Sequence, residues 1–242
     1  MVRAGIGSGM RVLELGSGAG DVALLVGSLV GDSGAVLGVD RAAESVAAAT
    51  ARVAQAGLKQ VRFITGSIEA LDLREKFDAI VGRLVLMYLK DPSATLAALA
   101  RQFLKPGGAL VFMELDMESA RQVPPVALVA EAVGRIRETF RRAGNQINLG
   151  PRLPQVFRAA GLPDPQLIAR TRLEAAPALE CTRYTSATIR SLLPVMEQLG
   201  VARAEEVQVD TLAERMQQAL TAANATMIMP SMIGAWARMP GG

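Results

Sequence analysis

Histidine is absent from this chain of 242 residues, and cysteine occurs once, at Cys181. The first absence removes the usual base at neutral pH, the imidazole ligands of common metal sites and any Ser-His-Asp triad. The second excludes a disulfide framework or a cysteine metal cluster within these residues, and it suits a reducing, cytoplasmic setting. The formal charge of +3 is small for the length, and the arginines are neither clustered in a dense run nor interleaved with aromatics, so nucleic acid is not an expected partner. No run of about 20 apolar residues occurs, so no membrane-spanning helix is expected. Nor does a charged start lead into an apolar stretch and a small-residue cleavage site.

What remains is a half-apolar chain, long enough to bury one sizeable core. Its first half has a clear rhythm. Short apolar strands are predicted at Met10–Leu15, Ala35–Val39, Val61–Thr65, Phe77–Val81 and Ala109–Leu115. Helical patterns lie between them at Asp21–Val30, Ala42–Ala56 and from Asp91-Pro92 to Leu104, with a tight turn at Lys105–Gly108. Strands alternating with helices at this spacing predict βαβ crossovers and a parallel sheet covered on both faces.

After Leu115 the rhythm changes. Helices are predicted at Leu128–Arg142, Pro154–Ala160, Thr182–Leu199 and up to about Ala223, the last with Thr211 and Glu214 as a capping box. Gln166–Leu173 reads as a sixth strand. Ala225–Met229 with Ile233–Met239 reads as one final strand, broken at Pro230. The surplus helices are expected to form part of a lid over the strand ends, where open α/β sheets bind ligands. The expected division is a cofactor-binding half at 1–118 and the remainder of the same domain, with lid insertions and the last two strands, at 119–242.

The chemistry-bearing segment is the turn after the first strand. Gly16, Ser17, Gly18 and Gly20 stand between strand and helix, where the backbone can turn sharply, approach a ligand closely and offer free N–H groups. Asp40 lies at the end of the second strand, where a carboxylate can accept hydrogen bonds from both hydroxyls of a ribose. Nicotinamide and methionine-derived nucleoside cofactors share this plan. Glu14 and Asp21 separate them: both place negative charge beside the loop, unwelcome near a pyrophosphate and suited to a cationic amino-acid moiety.

These segments together resemble the class I S-adenosylmethionine-dependent methyltransferases. VLELGSGAGDVALLVGSLVGDSGAVLGVD is similar to the first half of that core. FITGSIEALDL, FDAIVGRLVLMYLKDP and LKPGGALVFMEL are similar to its third-, fourth- and fifth-strand segments. RLPQVFRAAGLPDP and MIGAWARMP resemble a bacterial branch acting on small molecules such as quinones, phenols and amines. The resemblance implies a Rossmann-like, doubly wound, mostly parallel seven-stranded sheet with a partly helical lid, and S-adenosyl-L-methionine as cofactor.

On that resemblance Gly16, Gly18 and Gly20 line the methionine side, with Glu14 near its amino group. Asp40 holds the ribose, Arg41 covers the adenine, Ser67 and Ile68 flank it, and Arg83 and Leu84 follow the pocket edge. Where many relatives carry Asp, this chain has Ser67. Met87, Tyr88, Met113, Glu114 and Tyr184 are candidates for the acceptor pocket. Glu114, Arg83 and Tyr184 are the expected catalytic groups, Glu114 as a base if its pKa is raised. No metal is expected.

Other readings stand beside these. Arg83 could make a surface ion pair, Ser67 could cap a helix, and Trp236 is expected to pack. Seven arginines against two glutamates between Ala120 and Ala160 read either as a solvated face or as an attraction for an acidic small molecule. Relatives usually carry helices ahead of the first strand, where this chain has VRAGIGSG, so a partner copy in a homodimer is one expected source of cover. The competing functions are a nicotinamide oxidoreductase, disfavoured because neither Tyr88 nor Tyr184 has a lysine three or four residues on, and a cofactor-binding protein without turnover. Base methylation is disfavoured by GRLV after strand four, where an N-P-P-Y type of sequence would cradle a flipped base.

Overall fold

The computed structural model describes residues 1–176 and 180–241. They pack as two compact units that interleave along the chain. The first comprises Met1–Glu114, Pro151–Ile168 and Ile233–Gly242, and the second Leu115–Gly150 and Ala169–Met232.

The first unit is built on strands β1 (Arg11–Leu15), β2 (Ala35–Asp40), β3 (Val61–Thr65), β4 (Phe77–Arg83) and β5 (Leu104–Asp116), with helices α1 (Asp21–Val30), α2 (Ala43–Gln55) and α3 (Pro92–Phe103) between them. With β7 (Gln166–Arg170) and β10 (Ser231–Arg238) added, the sheet order is β3-β2-β1-β4-β5-β10-β7, and the first five strands in that order run parallel. This is the seven-stranded, mostly parallel α/β sheet expected. Alternate strand residues serve its two faces. Val12, Val36, Val81 and Val111 join Val22, Val26 and Val30 of α1 and Val53 of α2 in one core. Leu13, Ile80, Leu110 and Phe112 are also fully buried, and Phe112 meets Phe157 of α5 (Leu153–Ala159) edge-on at 6.4 Å. The Asp91 carboxylate accepts from the Ala94 N–H at 2.9 Å and starts α3, with Pro92 in its first turn. Trp236 packs against the α1 core, as expected.

The second unit has its own core. Helices α4 (Ala127–Arg142), α6 (Glu180–Gln198) and α8 (Val209–Ala222) contribute Val129, Val133, Ile136, Ile189, Met196, Leu212 and Met216 to one buried cluster with Met227. An antiparallel sheet of order β6-β9-β8, from β6 (Arg121–Val123), β8 (Leu173–Ala175) and β9 (Thr226–Ile228), completes it.

Four sequence expectations are corrected here. The turn at Lys105–Gly108 is absorbed into the start of β5, where Phe77 pairs with Leu104 and the register then shifts before Ala79. Gly107 takes φ +71° and donates to the Pro240 carbonyl at 3.0 Å. The expected sixth strand is two strands in different sheets, β7 (Gln166–Arg170) and β8. The expected final strand is likewise two. β9 ends before Pro230, which has no N–H for a ladder, and β10 (Ser231–Arg238) enters the large sheet. Thr211 does not cap α8. A short α7 (Ala204–Val207) precedes it, and Gln208, at φ +50°, closes one helix and opens the next, leaving Thr211 inside α8 with its hydroxyl on the Gln208 carbonyl.

The arginine-rich stretch is largely occupied with its own surroundings. Arg135 pairs with Glu131, Arg141 and Arg142 with Glu138, and Arg158 with Asp164. Arg137 donates to the carbonyls of Met117 and Ala120. This favours the solvated-face reading.

The tightest packing constraint near the glycine loop is Gly38, mid-β2. A Cβ there would stand 2.3 Å from the Phe63 ring and 2.5 Å from Ser17 Oγ. Gly38→Ala is expected to destabilise the protein by roughly 1–3 kcal/mol, as overpacking does. Gly7→Ala, which meets nothing within 4 Å, is expected to be near neutral. Urea unfolding of the two variants side by side checks this, and equal midpoints would contradict it.

Candidate functional site

The C-terminal ends of β1, β2, β3 and β4 surround a cavity of about 410 Å³, within the range of small-molecule sites. It is lined by Gly16 and Gly18 after β1, Asp40 and Arg41 after β2, Gly66–Glu69 after β3, and Leu84, Val85, Tyr88 and Leu89 after β4. Seven of the residues expected to hold a cofactor therefore come together: Gly16, Gly18, Asp40, Arg41, Ser67, Ile68 and Leu84.

The glycine loop is shaped by its neighbours. Gly16 has φ +64°, and a Cβ on it would collide with Val85 at 2.6 Å. Gly18 has φ +50°, and the space where its Cβ would stand is open. Its N–H donates to Asp40 Oδ2 at 2.8 Å, while Asp40 Oδ1 accepts from the Ala42 N–H at 2.9 Å. Each carboxylate oxygen keeps a further lone pair, so the fastened Asp40 can still accept from ligand hydroxyls. Gly20 opens α1 and does not line the cavity. It gives α2 room, since a Cβ would meet Ala49 at 3.0 Å. Ser17 is buried, with its hydroxyl toward the Val39 carbonyl at 3.5 Å.

Glu14 lies behind the loop, only 2% exposed, and its Oε2 has no hydrogen-bond partner. Burial pushes its carboxyl up to about 7, against smaller opposing effects of the Ser17 hydroxyl, the Ala23 N–H and the Arg83 charge. Neither Glu14 nor Ser17 lines the cavity; Glu14 stands behind the loop as a buried acid with one free oxygen.

The rim after β3 is more specific than expected. Ser67 occupies the N-cap position of a 3-10 turn at Ile68–Ala70, but its side chain does not cap it. Its hydroxyl donates to Glu69 Oε2 at 2.6 Å. That bond, the strongest of several influences, holds the Glu69 carboxyl below its ordinary range, with Arg41 adding to the effect. Ser67 thus spends its proton internally and meets a ligand as an acceptor, suited to an amino group. Sequence reasoning missed Glu69; the signal available was an acid two residues after the serine on the same short turn.

The expected catalytic groups are placed differently. Arg83 pairs with Asp21 at 3.2 Å, and Asp21 also binds Arg52 at 2.8 Å, which is the surface-pair alternative. Glu114 is fully buried. Its Oε1 accepts from the N–H groups of Val85 at 2.9 Å and Leu86 at 2.7 Å, and its Oε2 has no partner. Burial pushes its carboxyl up to about 7 while the backbone donors pull it down. Neither Arg83 nor Glu114 lines the cavity, which corrects the expectation that Glu114 faces an acceptor there as base. Tyr184 lies on α6 in the second unit, exposed. Met87 is buried, Tyr88 is half-exposed at the cavity, and Met113 takes the Leu84 N–H on its carbonyl at 2.8 Å.

An open parallel sheet with a glycine loop after its first strand and a fastened acid after its second defines a nucleoside-cofactor-binding α/β protein. Residues 6–161 match the family described as "Methyltransferase domain". The chain belongs to this family, the class I S-adenosylmethionine-dependent methyltransferases. It is 40% identical over 115 residues to an arsenite methyltransferase of Aquipseudomonas alcaligenes, covering 44% of this chain and 33% of that protein. It is 36% identical over 109 residues to a ubiquinone biosynthesis O-methyltransferase of Bradyrhizobium sp., covering 45% and 41%. The chain thus spans well under half the length of these curated relatives. Among solved structures, the YcgJ protein of Bacillus subtilis superposes with TM-score 0.57 at 20% identity, covering 100% of this chain and 96% of that one, a likeness of fold.

Glu14 and Glu114 give the stability a pH dependence with a defined sign. Unfolded, each titrates near 4.5; folded, each holds its proton up to about 7. Between these values the folded state binds more protons, so stability falls as pH rises from about 4.5 to about 7 and then levels. Glu14→Gln removes one contribution, with a ceiling of roughly 3 kcal/mol. The variant's stability relative to wild type is expected to be higher at pH 7.5 than at pH 5 in urea unfolding. A difference unchanged between the two would contradict the assignment.

Proposed function

We propose that this protein transfers a methyl group from S-adenosyl-L-methionine to a nucleophilic O, N or C atom of a small organic acceptor, an aromatic or secondary metabolite. The observation that carries the reading is the 410 Å³ cavity on which Gly16, Gly18, Asp40, Arg41, Ser67, Ile68 and Leu84 converge. When bound, the cofactor supplies a methyl group on a cationic sulfur, already electrophilic. The protein's task is then alignment and exclusion of water.

Asp40 takes the ribose hydroxyls, Ser67 accepts from the adenine amino group, and Ile68 and Leu84 pack on the ring. Glu14, buried behind the loop, would favour a cationic amino-acid end at the methionine side. The similarity to a ubiquinone biosynthesis O-methyltransferase supports an aromatic acceptor. Carry-over from the arsenite methyltransferase is disfavoured. Soft thiophilic ligands call for thiolates, and Cys181 is buried, with burial and the adjacent Glu174 pushing its thiol up to about 12.

The acids at the cavity narrow the chemistry. Asp40 is fastened at both oxygens, and Glu69 is a weak base, bonded to Ser67. An acceptor that loses its proton readily, or an activated carbon, suits such a site better than an ordinary alcohol. The single buried thiol fits a reducing, cytoplasmic compartment. Among the described residues no helix is long and apolar enough to cross a membrane.

Calorimetric titration with S-adenosylmethionine, S-adenosylhomocysteine and NADH tests the reading. The first two are expected to bind with micromolar dissociation constants, weakened at least tenfold in Asp40→Ala, and NADH not to bind. Binding of NADH alone would overturn it. Cofactor binding with no transfer to any phenol, quinone or amine would instead leave a binding protein without turnover.

A further inference from the structure

The wall of the cavity that follows β4 is an unusual piece of backbone. Leu84 takes φ +55°, a left-handed conformation that a bulky side chain adopts only when its surroundings impose it. Val85, next along, presses on the glycine loop: its methyl carbon stands where a Cβ on Gly16 would be, and its other methyl crowds Gly82 in the same way, at 2.6 and 2.7 Å. The path of Leu84–Leu86 therefore sets both one wall of the cavity and the floor under the loop.

Three consecutive amides of that wall are held by two consecutive residues of β5. The Met113 carbonyl takes the Leu84 N–H at 2.8 Å. A single oxygen of Glu114 takes the next two, Val85 at 2.9 Å and Leu86 at 2.7 Å. Glu114 is fully buried, and its other oxygen has no partner. Burial and backbone donors, with no charged side chain among them, set its protonation. Nothing in this arrangement brings the carboxyl to the cavity. It does make Glu114 the acceptor that keeps two buried N–H groups satisfied and the left-handed residue in place.

We infer that Glu114 is a positioning residue, which holds the Leu84–Leu86 wall against the glycine loop so that the cavity is preformed for the nucleoside cofactor. This rests on the cofactor-binding reading above. The function needs an acceptor oxygen at that point, not a negative charge. The substitution Glu114→Gln keeps a carbonyl oxygen for the same two N–H groups. A leucine would leave both without a partner, and an aspartate would draw the acceptor back by one methylene.

The experiment is titration of S-adenosylhomocysteine into wild type, Glu114→Gln, Glu114→Leu and Glu114→Asp, with amide hydrogen exchange followed in each unliganded protein. Wild type is titrated first, and failure there counts against the cofactor reading and not against Glu114. Given wild-type binding, Glu114→Gln is expected to bind within about threefold of wild type. Glu114→Leu is expected to lose at least tenfold, about 1.4 kcal/mol, with faster exchange confined to residues 84–88 while β1 and β4 stay protected. If Glu114→Leu fails to fold, Glu114→Asp carries the test, with a smaller loss in the same direction. Wild-type affinity in a folded Leu or Asp variant would overturn the inference. So would a Gln variant as weak as the Leu variant, which would make the charge, not the acceptor, the operative feature.

Discussion

The site depends on one carboxylate. Asp40 binds the Gly18 N–H with one oxygen and the Ala42 N–H with the other, and so fastens the turn after β1 to the turn after β2. Neighbouring parallel strands bring the two turns to the same edge of the sheet, with Leu15 beside Val39. Gly18 has no side chain and the space where a Cβ would stand is open, so this bond does much to define its path. The carboxylate that is available to a ligand is also the one that shapes the loop the ligand would meet.

A second layer of constraint lies behind the loop. Glu14 is the penultimate residue of β1 and Glu114 falls near the end of β5; both are almost wholly buried, and each has one oxygen without a partner. Two buried acids are an expense for a small domain. What offsets it differs between them. Glu114 satisfies backbone amides of the cavity wall within the protein itself. Glu14 has the Ser17 hydroxyl, the Ala23 N–H and the charge of Arg83 near it, yet these do not bring its carboxyl back to the ordinary range.

Much of the sheet was legible in the sequence. Short, mostly apolar runs beside glycine turns located β1, β2 and β3 almost to the residue, and Asp91-Pro92 marked the start of α3, because these signals are local. The glycine loop and Asp40 could be placed for the same reason, since each ends or follows a strand and a parallel sheet gathers such ends, whereas Ser67 and Ile68 came from the family resemblance; all of these segments reach one cavity. The strand misreadings were non-local, and the misplaced helix cap was a local one. Gln166–Leu173 is uniformly half-apolar, and nothing along the chain says that β7 and β8 join different sheets. The same holds for the break at Pro230, where two strands on either side of a proline read as one. Thr211 and Glu214 have the spacing of a capping box, but Gln208 had already started the helix in a left-handed conformation that no glycine or asparagine announced.

The site residues divide along the same line. A residue's position at a strand end can be read from sequence, but the direction of its side chain cannot. Arg83 and Glu114 sit where expected, at the ends of β4 and β5, yet Arg83 turns to Asp21 and Glu114 turns to the amides of Val85 and Leu86. Each choice is dictated by a partner that is distant in the chain: Asp21 lies 62 residues from Arg83, and Val85 lies 29 from Glu114. Glu69 shows the converse. Along the chain it is only an acid two residues after a serine, whereas in the structure one hydrogen bond from the Ser67 hydroxyl makes the two side chains a single feature of the rim. With the carboxylates of β1 and β5 turned inward, the acids left at the cavity are Asp40 and Glu69, one fastened to backbone and the other bonded to a hydroxyl. On the proposed reading such a site holds and orients its ligands, and reactivity rests on the acceptor's own acidity.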